Sequence, residues 1–291
     1  MKSDIECLYC MLKQAFNAVK LATDDKKLQR LVIDRTMDLI RQADLDLSPA
    51  ANSTPVFHLV SEMTGNDDPF RNDKKQSNRQ AMNLIPHIKH LLHKTSRPLE
   101  MLLHLAVAGN VIDLGIGLDF DFKSDLHSLL EMPFALDHTD LFRKEIRPGR
   151  RLLYLGDNAG EIVFDKFLVE YLQSQGMIIT FAVKYGPIIN DATIEDAEMT
   201  GLTKRTHVIE TGGNDIGIQF DNVSREFADA FEQADVILAK GHGHFESCNA
   251  IQKNIYFLLK AKCDVVAAEL GVKRGDSVLA NLSGNHTRIS A

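Results

Sequence analysis

The chain has 291 residues, 44% of them hydrophobic and 25% charged, with a formal net charge of −7. That profile is one of an ordinary soluble protein, long enough for one large domain or two modest ones. It argues against a membrane-embedded chain, because the apolar runs fall far short of a bilayer crossing, and it offers no electrostatic footprint for nucleic acid.

The opening stretch, MKSDIECLYC, carries no apolar segment of signal-peptide type, which predicts a cytoplasmic protein. In that reducing compartment Cys7, Cys10, Cys248 and Cys263 are expected as free thiols. Residues 1–145 read as helical. CLYCMLKQAFNAVKLA, KLQRLVIDRTMDLIRQA and SRPLEMLLHLAVAGNVIDLGI place apolar residues at helical spacing or in long apolar segments, with polar turns between them. Cys7 and Cys10 form a CxxC on one side of the first helix. No second CxxC or CxxH completes a zinc site, so the pair reads as buried thiols, with a metal or redox role as the alternative.

From residue 146 onward the pattern changes. RLLYLGD, MIITFAVKYGP, THVIETGG, DVILAKGHG and CDVVAAEL read as strands, and residues 161–175, 191–200, 222–233 and 246–260 as helices. Strands alternating with helices predict an α/β fold, with a mostly parallel sheet covered on both faces. The predicted division is a helical region, 1–145, and an α/β region, 146–291.

Four predicted strand ends run into loops that mix glycine with polar groups: GDNAGE, KYGPIIND, TGGND and KGHGHFES. Open α/β sheets bind ligands beyond the carboxyl ends of their strands. Asp157 and Asn158 in the first loop and Asp191 in the second supply hard oxygen donors suited to Mg²⁺ or Mn²⁺. Lys240 offers a point charge to an anionic oxygen. A divalent cation beside a lysine, at helix N-termini, is chemistry for phosphate. Each residue also has a plainer reading. Asp157 and Asp191 are placed to cap helices, Glu161 to favour a helix dipole, and Lys240 to sit in solvent. His242 and His244 alternate in a glycine loop, which is weak support for a metal pair.

VIDLGIGLDF (111–120) resembles the glycine-rich motif of S-adenosylmethionine-dependent methyltransferases, but Asp119 replaces the third glycine. A helix carrying Asn110 and Asp113 toward the cleft is the better reading. TGGND is either an anion-holding turn or an ordinary one. Neither a nucleotide P-loop nor a GxSxG elbow is present.

Taken together, GDNAGEIVFD, VKYGPIINDAT, AKGHGHFES, AVAGNVID and CLYC resemble the DUF89 family of damage-control phosphatases, in its microbial branch. The resemblance implies a Rossmann-like domain preceded by a helical region, and metal-dependent hydrolysis of phosphate monoesters such as sugar phosphates or damaged phosphometabolites. It also implies Mn, Co, Ni or Mg as the ion. Asp157, Asn158 and Asp191 match the family's metal positions, Lys240 a lysine near the phosphate, and Asn110 and Asp113 a motif lining the cleft. Similar sequences read KGQGNFE where this chain has KGHGHFE, so His242 and His244 depart from the pattern. The expected partner is a small phosphate ester. The attacking group is either water activated by the ion or Asp157 itself, and Glu161 and Asp113 are candidates for the general acid. Two other readings are a carboxyl methyltransferase using S-adenosylmethionine and a non-catalytic phosphometabolite-binding protein.

Overall fold

The first three helices begin where the sequence supplies a cap. In the computed structural model, which describes residues 1–112 and 132–283, Asp4 accepts the Glu6 N–H to start α1 (Ile5–Ala22). Asp25 starts α2 (Lys26–Arg41) and Ser48 starts α3 (Pro49–Thr64) in the same way. These helices pack around Ala18, Val19, Val32, Phe57 and Val60. Next come α4 (Arg71–Asn83), α5 (Ile85–Lys94) and α6 (Pro98–Ile112). Helix α4 is almost wholly polar, yet it buries Lys74, Ser77 and Asn78.

The α/β region runs β1 (Leu136–Asp137), α7 (Thr139–Glu145), β2 (Arg151–Leu155), α8 (Glu161–Ser174), β3 (Ile178–Val183), α9 (Ile194–Thr200) and β4 (His207–Glu210). It continues with α10 (Arg225–Gln233), β5 (Val236–Lys240), α11 (Gly241–Cys248), β6 (Ile255–Lys260), α12 (Asp264–Leu270) and β7 (Ser277–Asn281). The strands form one sheet in the order β1-β7-β6-β5-β2-β3-β4. Neighbours are parallel except β6 and β7. Side chains alternate between two cores. Leu152 and Tyr154 face the layer of α6 and α8, while Leu153 and Leu155 face α10, α11 and α12. The α/β expectation therefore holds.

Three local expectations do not. Residues 255–260, read as helix, form β6, a strand buried along nearly its whole length. CDVVAAEL, read as a strand, is α12: Cys263 caps it by accepting the Val266 N–H at 3.5 Å, and Gly271 ends it in the left-handed region. Strand β1 lies inside the stretch read as helical. Among the described residues no helix is long and apolar enough to cross a membrane.

Glu246 on α11 carries a testable energetic consequence. Burial pushes its carboxyl up to about 7, although the Met1 ammonium and the Ala50 N–H favour the charged form. The His242 imidazole lies 3.9 Å away, and Cys7 and Cys263 are close enough to feel its charge. A raised folded pKa gives stability that is present below the unfolded value near 4.5 and lost as pH climbs through 7. Glu246→Gln is therefore expected to stabilise the protein at pH 8, by on the order of 1–3 kcal/mol, with little effect near pH 5. Thermal melts at the two pH values check this, and an equal shift at both would contradict it.

Candidate active site

The chain runs outward from β2 to β3 and β4 on one side, then returns to β5 and β6 on the other. The switch in direction falls at the carboxyl ends of β2 and β5, the crevice position where α/β sheets take ligands. The loop after β2 carries Asp157 and Asn158, the loop after β3 carries Asp191, and β5 ends at Lys240.

The first two loops are stitched together by backbone. Ala159 N–H donates to the Asn190 carbonyl at 2.9 Å, and Ala192 N–H to the Asp157 carbonyl at 2.8 Å. Asn158 and Asp191 form an isolated antiparallel bridge. Neither aspartate caps a helix. The residue before α8 is Gly160, which offers no side-chain cap, and α9 is capped by Thr193 in a capping box with Asp196. The plainer reading of both aspartates thus loses its geometry.

Charge in this crevice is poorly balanced. Burial holds the Asp157 carboxyl well above the usual carboxylate range, and the charges of Glu161 and Asp191 add to the shift, against opposing effects from Lys262 and Lys240. Asp191 is raised to about 6, chiefly by burial, with Lys184 working the other way. The Asn158 amide nitrogen donates to Glu161 Oε1 at 2.7 Å and to Asp157 Oδ2 at 3.2 Å, leaving its oxygen as the ligand group. At Gly241, φ is +77° and a Cβ would overlap the Asp157 carboxylate. The crevice wall at that point admits no side chain.

Lys240 needs a correction. The plainer sequence reading places it in solvent. Its side chain is instead 1% exposed, and its ammonium donates to Glu161 Oε2 at 3.0 Å and Asp165 Oδ1 at 2.9 Å. Glu161 and Asp165 are fully buried, and Glu161 stands in the first turn of α8, where its charge still favours the helix dipole. Burial alone lowers the lysine's pKa, but Asp165 and then Glu161 outweigh it and keep the ammonium charged. Tyr154 completes the network by donating to Asp165 Oδ1 at 2.7 Å, and Asp165 Oδ2 has no partner among the described residues. Asp165 sits at about 6 because burial exceeds the help from Lys240.

Several contributing residues escaped the sequence reading. Lys184, at the end of β3, is buried 3.7 Å from Asp191 Oδ2 and donates to the Gly217 carbonyl. Asn78 accepts the Gly160 N–H at 2.7 Å and donates to Asp196 Oδ1 at 2.7 Å, joining polar helix α4 to the start of α8. The signal for Asn78 was a helix too polar to be buried without a purpose. For Lys184 it was a lysine directly following a buried strand.

The histidines do not form a pair. His244 Nδ1–H donates to the Lys240 carbonyl at 2.7 Å, and burial lowers its pKa to about 3. His242 Nε2 lies 2.9 Å from both the Lys260 carbonyl and the Lys262 N–H, and burial lowers that ring to about 4. Both are neutral near pH 7. Thr211 closes the TGGND segment as a turn by donating to the Gly213 carbonyl at 3.0 Å. Asn110 lies on α6, which packs along α8. Asp113 and the rest of the DLGIG stretch lie outside the described residues. Cys7 is buried and Cys10 exposed, and both are free. Among the described residues no three His, Cys, Asp or Glu side chains gather closely enough to hold an ion by themselves. A cation at the crevice would rely on two aspartates, the Asn158 oxygen, and oxygens from water or substrate, a donor set that fits a hard divalent ion.

The family described as the damage-control phosphatase ARMT1-like domain matches residues 3–278. A Pyrococcus horikoshii protein named damage-control phosphatase PH1575 is 37% identical over 279 residues, covering 94% of this chain and 96% of that protein. An Archaeoglobus fulgidus damage-control phosphatase is 32% identical over 285 residues, covering 96% and 98%. The crystal structure of a DUF89 family protein from Pyrococcus horikoshii superposes with a TM-score of 0.90 at 37% identity, over 97% of this chain and 99% of that one.

Proposed function

The chain belongs to the damage-control phosphatase ARMT1-like family, and on that premise we propose that it is a metal-dependent phosphatase of small phosphate monoesters. Sugar phosphates or damaged phosphometabolites are the substrate class. The observation that carries the reading is the backbone stitching that brings the loops of Asp157, Asn158 and Asp191 together, with both carboxyls raised above their ordinary range. Buried carboxylates set together are costly unless a cation joins them.

Asp157, Asp191 and the Asn158 oxygen would hold Mn²⁺, Co²⁺, Ni²⁺ or Mg²⁺. Such an ion polarises a phosphoryl oxygen and makes water a better nucleophile. The protein's own part is preorganisation. The Asn158 amide ties Asp157 to Glu161, and Lys240 anchors Glu161 from beneath. Lys184 keeps a cation beside Asp191, at the crevice edge where an ester's anionic oxygens would gather. Asp157 is the alternative nucleophile, and trapping a phosphoenzyme separates that route from attack by water.

The test is phosphate release from p-nitrophenyl phosphate and a panel of sugar phosphates, with each metal added in turn. EDTA treatment is expected to abolish turnover and Mn²⁺, Co²⁺ or Ni²⁺ to restore it. Undiminished turnover by metal-free protein in excess chelator would overturn the reading.

A further inference from the structure

Among the described residues Ile189 is the one non-glycine residue with a positive φ, 47°. A β-branched side chain makes that conformation particularly unfavourable. The turn containing it spans Ile188 to Asp191 and is closed by the Asp191 N–H donating to the Ile188 carbonyl at 3.1 Å. A positive φ at the second position of such a turn is ordinarily taken by glycine.

This turn fixes the candidate ligands. Asn190 and Ala192 make its backbone bonds to the Asp157–Ala159 loop, and Asp191 bridges to Asn158. A strained conformation persists only when its surroundings over-determine it. Here the surroundings are the N-terminal helices. Ile188 is buried among Ala18, Val19, Val32, Phe57 and Val60, and Ile189 packs against the same cluster. None of those five residues belongs to the crevice.

We infer that α1, α2 and α3 clamp the Asp191 turn through Ile188 and Ile189, which makes Ile189 a positioning residue for the cation site. The inference rests on the cation reading of Asp157 and Asp191 and adds a cause for their register. Apolar burial in one layer is converted into the placement of a carboxylate in another. Ion affinity then depends on side chains that never approach the ion.

Ile189→Gly and Phe57→Leu test the clamp from its two sides. Glycine accepts the observed φ without strain, so the first variant is expected to fold. In metal-free protein, amide exchange across residues 186–193 should accelerate at least about tenfold in Ile189→Gly and roughly threefold in Phe57→Leu. The Mn²⁺ dissociation constant measured by calorimetry should rise by similar factors, about tenfold and about threefold. Unchanged exchange in both variants overturns the clamp. Faster exchange with wild-type Mn²⁺ affinity in both overturns the positioning role. If exchange accelerates but the wild type takes up no Mn²⁺, the clamp stands and the cation reading fails.

Discussion

Asp157→Asn is expected to lose phosphate release by about a thousandfold, the scale of losing one preorganised catalytic group, while melting above the wild type in metal-free buffer. The two effects share one cause. Burial and the charges of Glu161 and Asp191 hold the Asp157 carboxyl well above its ordinary range. An amide of the same shape removes one member of that repulsive group. Relief on the order of 1–2 kcal/mol corresponds to a few degrees for a chain of this size. On the proposed cation site the same substitution withdraws an anionic ligand, so any rise in melting temperature that added Mn²⁺ gives the wild type should vanish. Melting curves with and without Mn²⁺, beside single-substrate kinetics, check both halves. A variant that melts several degrees lower and keeps its turnover would mean that the carboxylate serves the fold alone.

Lys240→Met is expected to act in the opposite sense on stability. It leaves Glu161 and Asp165 buried without their cation. Removing one partner of a buried ion pair costs about 3–5 kcal/mol, or roughly ten degrees of melting temperature. A lysine that only held a phosphoryl oxygen would change KM and leave the melting curve alone. Adding Glu161→Gln and Asp165→Asn to the same chain should recover much of the loss, because no uncompensated charge then stays inside. Failure of that triple variant to recover would point to packing of the lysine stem as the larger contribution.

Comparing residues shows where sequence pattern was sufficient. RLLYL, IITFAV and VILAK are short apolar runs ended by glycine-bearing loops, and they are β2, β3 and β5. The loops holding Asp157, Asn158 and Asp191 were legible because strand ends in such sheets are functional by topology. IYFLLK and DVVAAEL were exchanged because periodicity does not separate a fully buried strand from a buried helix. The capping thiol of Cys263, which decides the second, is an unusual cap. Glu161 and Asp165 are like charges one helical turn apart, a costly arrangement. Their resolution lay 75 and 79 positions away in Lys240, a distance local pattern does not cross. Ile189 gave no signal at all, since a strained backbone leaves no mark on residue type.

The sheet has one strand out of temporal order. Among the described residues β1 pairs with β7 alone, Leu136 opposite Val278, and β7 in turn sits against β6. A ribosome adding about 5–20 residues per second leaves β1 waiting roughly seven to thirty seconds for that neighbour. The strands that bear Asp157, Asp191 and Lys240 can meet earlier, since β2, β3 and β5 all precede β7. During synthesis the proposed site is thus able to assemble before its own sheet is finished. The two-residue length of β1 leaves little unsatisfied edge to capture another nascent chain in the interval.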